Sequence, residues 1–120
     1  MSTLTIDKLI ETLPECAAAT DQKPGDLREF LSSFAAAGGV NFGLSDSNSP
    51  IATQSQIIRS VAENCMSSAF VLWSHRMTAE YIDRWATPEV RSKYLTEILS
   101  GERIGSTALA TALADKRGKE

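Results

Sequence analysis

The chain has 120 residues, 42% of them hydrophobic and 22% charged, with a formal net charge of −3 and a pI near 5.2. That length holds one domain with a core of its own, and that balance excludes a disordered chain. The acidic balance also argues against a nucleic-acid partner, which demands a basic face.

Basic residues gather only in the tail Lys116, Arg117 and Lys119, which reads as a solvated end. Cys16 and Cys65 form no CxxC and no ligand spacing, so both are expected as small apolar groups in a reduced, cytoplasmic setting. The opening MSTLTIDKLIETL lacks a basic start and a continuous apolar run, so neither a signal peptide nor a membrane span is expected.

The first segment, about Leu4 to Ala19, places Ile6, Leu9, Ile10 and Leu13 at helical spacing, with Pro14 predicting a kink or break. Thr20 to Asp26 is turn chemistry. A second helix follows from Leu27, Phe30, Leu31 and Phe34 on one face. Pro24 and Asp26 suit its start, and Gly38-Gly39 supplies a left-handed stop. A loop runs to Pro50. A third helix is predicted from about Ala52 to Asn64, with Gln54, Ile57, Ile58, Val61 and Cys65 to one side.

The fourth helix is expected to begin near Ser67 or Ser68, either of which can cap it. Its stripe of Phe70, Trp73, Met77, Tyr81 and Trp85 reads as a core face, with an aromatic ligand box as the alternative. Glu80, Asp83 and Arg84 read as an ordinary solvated face. The fifth helix has the clearest start: Thr87 to cap, Pro88 in the first turn, and Glu89 at the positive end of the dipole. Val90, Tyr94, Leu95, Ile98 and Leu99 are its buried face, Arg91, Lys93 and Glu97 face water, and Ser100-Gly101 ends it.

After this the pattern changes. Ile104 to Leu113 reads as a β-strand, with Thr107, Leu109, Thr111 and Leu113 on one face and Ser106, Ala108, Ala110 and Ala112 on the other. A lone strand needs partners, and no other segment of the chain reads as one. The fold class is therefore mainly α, with one strand near the C-terminus.

Familiar catalytic signatures are missing. One histidine, His75, and no cysteine cluster make no zinc site, and no metal is expected. No GxSxG occurs, and the glycine-rich GGVNFG follows a helix where a dinucleotide loop would follow a strand. No carboxylate pair has the look of an acid/base couple, and no residue is assigned a catalytic role. His75, mid-helix, reads either as a satisfied histidine or as one facing a substrate pocket.

From about Phe34 to Asp115 the chain resembles the N-terminal half of acyl-CoA dehydrogenases. The resemblance rests on AAAGGVNFGLS, on IIRSVAENCMSSAFVLWSH, and above all on ATPEVRSKYLTEILSGERIGSTALA. It implies an N-terminal helical domain over residues 1–102 and the start of a middle β-domain over 103–120, whose missing strands would pair with the one begun at Ile104. It also implies FAD, or alternatively FMN, with Thr111 matching a flavin-contacting threonine and Leu109 and Ala110 beside it. Where the family carries Glu-Pro and a glycine-rich turn, this chain has Ala112-Leu113, so it is more similar to the divergent branch. That branch includes flavin-dependent monooxygenases of aromatic or sulfur-heterocyclic compounds.

The implied activity is flavin-dependent oxidoreduction, either acyl-CoA dehydrogenation or monooxygenation. A small-molecule substrate, the remainder of the enzyme or a partner chain, and a homo-oligomer complete the expectation, with no membrane and no nucleic acid. The chain alone would be inactive, since the family's catalytic glutamate lies in a C-terminal bundle. The alternatives are a stand-alone helical binding or assembly module and an unrelated helical interaction domain.

Overall fold

Met66–Trp85, 20 residues long, is the helix around which the others are arranged in the computed structural model of the chain. The structure describes residues 3–11, 27–106 and 113–116, with side chains from Ile6 onward. Five helices are defined there: α1 (Thr3–Glu11), α2 (Leu27–Ala36), α3 (Ile51–Asn64), α4 (Met66–Trp85) and α5 (Pro88–Ser100). α3 and α5 pack on α4, α2 packs on both α4 and α5, and α1 rests on α3. The mainly helical expectation holds.

The core follows from apolar side chains at helical spacing. Leu31, Phe34 and Ala35 of α2 meet Val61 of α3 and Ala69 and Leu72 of α4, with Ile6, Val40 and Cys65 closing the cluster. Phe30 lies beside Phe34, ring centroids 5.3 Å apart. A smaller cluster of Ala79, Leu95 and Ile98 joins α4 to α5. Alanines at 69 and 79 allow the neighbouring helices a close approach.

The stop signals work as chemistry dictates. α2 ends in two bonds, Gly39 N to Phe34 O (3.0 Å) and Gly38 N to Ala35 O (2.9 Å), with Gly38 left-handed at φ 86°. This double bond is the Schellman arrangement, and glycine adopts it without a Cβ penalty. A Cβ on Gly39 would overlap the buried Phe34 ring and lie 2.9 Å from Phe34 O, so the second glycine is required for space. Gly101 caps α5 at φ 83°, where Ser32 Oγ donates to its carbonyl (3.1 Å) and ties α5 back to α2. Thr87 accepts from Val90 N at the start of α5, as expected from its cap signal.

Three expectations are corrected. α4 opens two or three residues earlier than a Ser67 or Ser68 cap would place it. The extended residue Cys65 (φ −156°, ψ 107°) is its N-cap and alone separates it from α3. Ser68 instead points inward and donates to Cys65 Sγ at 3.1 Å. Val90, in the first turn of α5, is 41% exposed. The strand over Ile104–Leu113 is absent among the described residues: 104–106 have no regular structure and 113–116 are helical. A strand needs a neighbour to bond to, and the helical layer offers none. The predicted strand's middle, with Thr111, Leu109 and Ala110, lies outside the described residues, as do Cys16, Pro14, Pro24 and Asp26.

Candidate functional site

The aromatic stripe of α4 faces away from the core. At 100° per residue, positions 66, 70, 73 and 77 fall within an arc of about 60°, with 81 and 85 drifting beyond it. Met66 and Trp85 are each 71% exposed, Phe70 66% and Trp73 39%. Phe70 and Trp73 pair as tilted rings with centroids 5.9 Å apart, and Tyr81 and Trp85 pair at 5.8 Å. The expectation of a core face is overturned here. Periodicity identified one apolar side of the helix correctly, but α4 has a second, made of Ala69, Leu72 and Ala79, and that side is the buried one.

The buried side also carries polar residues. His75 is completely buried. Its Nε2 lies 2.8 Å from Ile98 O of α5, and the backbone N–H of Gly105 donates to its Nδ1 at 3.1 Å. Burial pushes its pKa below the ordinary histidine value, against the smaller opposing effect of the Ile98 bond. Both ring nitrogens are therefore occupied by backbone. Gly105 packs hard on the same helix: a Cβ there would lie 2.5 Å from Thr78 Cγ2.

Arg76 is likewise buried, donating to Glu80 (2.6 Å) and to Phe42 O (2.9 Å). Gln54 of α3, also buried, donates to Gly39 O at 2.8 Å. These two side chains hold the loop after α2 by two of its carbonyls, leaving Arg76 Nε and Gln54 Oε1 without protein partners.

At the far end of α4 the solvated face expected for Glu80, Asp83 and Arg84 is corrected for the two carboxylates, while Arg84 is exposed as expected. Glu80 sits between Arg76 and Arg84, and the Asp83 side chain is only 3% exposed. Asp83 accepts from Ser45 N (3.0 Å), Ser45 Oγ (2.6 Å) and Arg91 (2.8 Å), while Arg91 also reaches Asp46. Burial alone would raise the Asp83 pKa; the Ser45 bonds and the Arg91 charge together outweigh it and hold the carboxyl at about 2. Beside this knot lies an open cleft of about 500 Å³ lined by Gly43, Leu44, Ser45, Asp83, Arg84 and Trp85. No local signal marks Ser45 as the partner, because the contact spans 38 residues.

Among the described residues no group of three metal-binding side chains occurs, and no helix is long and apolar enough to cross a membrane.

A known family model matches most of the chain. The acyl-CoA dehydrogenase N-terminal domain matches residues 13–102. The chain belongs to the acyl-CoA dehydrogenase family. No curated protein and no solved structure matches it. The family is one of oxidoreductases that typically bind FAD. The match covers all of α2 to α5, so the exposed stripe and the His75–Ile98 contact lie within it, while Gly105 lies just beyond it.

Proposed function

We propose that this chain is the helical layer of a flavin-dependent oxidoreductase and that the outward stripe of α4 is one wall of its substrate cavity. The observation that carries this reading is the side-by-side exposure of Phe70 and Trp73, with Met66 and Trp85 further along the helix. An apolar patch of ring faces on a family domain fits an apolar ligand surface, because soluble chains otherwise keep such patches small.

The described residues fit a wall and not a complete flavin site. The polar groups near the stripe, Asp83, Arg84 and Arg91, are already committed to one another, to Glu80 or to Ser45. The flavin contacts are proposed at Thr111, Leu109 and Ala110, on the resemblance alone, with residues 103–120 opening the middle domain. FAD is the proposed cofactor and FMN the alternative. Bound, it would supply hydride acceptance or, once reduced, oxygen activation. What this chain supplies is orientation and water exclusion: ring faces hold an apolar substrate and keep solvent from the reacting end.

The substrate proposed is an acyl-CoA or an aromatic or heterocyclic compound, and the setting cytoplasmic. Bulky rings suit planar substrates by stacking, which favours the second class. Catalysis requires residues beyond these helices, so the 120-residue chain is proposed to be inactive by itself and to work with further chain or a partner, as a homo-oligomer.

The test uses the complete reading frame that contains this chain. Purified protein should carry flavin, seen by its visible absorbance. Phe70→Ala and Trp73→Ala should each raise KM for an aromatic substrate about tenfold, equivalent to about 1.4 kcal/mol, with flavin content unchanged. An unchanged KM in both variants would remove the stripe from the substrate cavity, and a flavin-free complete protein would remove the oxidoreductase reading. The stand-alone binding module would then be the surviving alternative.

A further inference from the structure

His75 is the one histidine of the chain, it is fully buried, and the wall proposed above does not use it. Its two contacts fix its chemistry. Ile98 O is a carbonyl and only accepts, so Nε2 must carry the proton. The Gly105 backbone N–H only donates, so Nδ1 must be bare. One neutral tautomer satisfies both, and no other protonation state does.

The residues joined are not neighbours in sequence. Ile98 lies 23 residues and Gly105 30 residues from His75. The ring therefore bridges the last turn of α5 to the segment that leaves it, over the body of α4. Gly105 is held from a second direction as well, by its tight packing on Thr78, one turn further along α4. At the start of the same exit, Arg103 N donates to Glu97 O (3.1 Å) and the Arg103 side chain bonds Glu97 at 2.6 Å. The chain is thus guided from Gly101 to Gly105 by named contacts, and the last of them is the histidine.

We propose that His75 is a positioning residue: its bare Nδ1 pins Gly105 to α4 and so sets the direction in which the chain departs toward Thr111. α4 also carries the aromatic stripe, so the same contact fixes Gly105 relative to that wall. The significance of Thr111 rests on the flavin reading; the latch itself does not. A bulk apolar residue of similar size would fill the space and lose both bonds, and a histidine of the other tautomer would set donor against donor at Gly105 and acceptor against acceptor at Ile98.

The test is nitrogen NMR on the 120-residue chain without flavin. The His75 ring should show the neutral Nε2–H pattern, with a measurable coupling across the hydrogen bond between Gly105 N and His75 Nδ1. An Nδ1–H tautomer, or a rapidly averaged pair with no such coupling, would overturn the proposal. Amide exchange then separates positioning from plain core filling. In His75→Leu, Gly105 should exchange at least tenfold faster while Val61 and Leu72 amides keep their wild-type protection. Equal acceleration everywhere, or none at Gly105, would make His75 an ordinary core residue. If the variant does not fold, the tautomer and coupling of the wild type decide alone. Since no flavin is present, failure here leaves the oxidoreductase reading standing, and loss of flavin from the complete protein would leave the latch standing.

Discussion

Along α4 the face turned inward carries Ser68, Ser74, His75 and Arg76, and the face turned outward carries Met66, Phe70, Trp73 and Trp85. A helix at the surface of a soluble domain ordinarily shows the reverse. The inner face succeeds because the polar groups named in its contacts find specific partners: Cys65 Sγ for Ser68, Ile98 O and Gly105 N for His75, Phe42 O and Glu80 for Arg76. Those partners come from the N-cap of α4, from α5 and the segment after it, from the loop after α2 and from α4 itself. The outer face has no such obligations. It is apolar and uncommitted, as a surface awaiting a ligand or a further layer of chain would be.

The largest effect that would sharpen this contrast comes from Arg76. Arg76→Met keeps much of the volume but leaves Phe42 O without its donor and Glu80 with Arg84 as its remaining cation. Removing one partner of a buried pair is costly even where the pair itself is worth little, and about 3 kcal/mol of destabilisation is expected. Urea denaturation with an unchanged m-value would measure it. A loss under about 0.5 kcal/mol would mean that the inward polar face is incidental to the fold.

Much of this arrangement was legible in the residues themselves, and the failures have a common cause. Gly38-Gly39, Thr87-Pro88 and Gly101 announce their turns because a stop or cap depends on two or three adjacent residues. The core stripe of α2 was equally readable, since Leu31 and Phe34 have no competing apolar face. α4 misled because it has two apolar sides and periodicity does not say which is covered. Asp83 misled because its environment comes from Ser45 and Arg91, distant in sequence, and a solvated carboxylate and a buried one look alike as letters. The strand at Ile104 was inferred from β-tolerant residues whose pairing must come from elsewhere, and among the described residues no such pairing exists. His75 stood open between a satisfied residue and a pocket residue; only the backbone positions of Ile98 and Gly105 show that both nitrogens are occupied.

A smaller effect is expected near the C-terminal end of the inner face, at Asp83. Its carboxyl is held at about 2 against an ordinary 3.8, so the fold prefers the charged form. The stability this brings is complete above pH 3.8 and is lost as the pH falls toward 2. Arg91 is 32% exposed, so solvent screens the pair and about 1 kcal/mol is the appropriate scale. Asp83→Asn should therefore melt a few degrees below wild type at pH 7, and the two curves should converge between pH 4 and 2. Parallel curves over that range would place the Ser45–Arg91 knot outside the stability of the domain.

The smallest effect belongs to the outer face, and smallness is the point. Phe70→Ser with Trp73→Ser removes two large rings from positions 66% and 39% exposed. If the rings are uncommitted, the folded helical layer loses only their mutual contact and the partial burial of Trp73, and ΔG should change by less than about 1 kcal/mol. Self-association of the chain, read by sedimentation at increasing concentration, should fall because the exposed apolar area falls. The same pair of substitutions on the inner face would empty the core, so the two-sided comparison is internally controlled. A loss of several kcal/mol from the outer pair would mean that the stripe is covered within the domain itself, and the wall proposed for the substrate would have to be sought elsewhere.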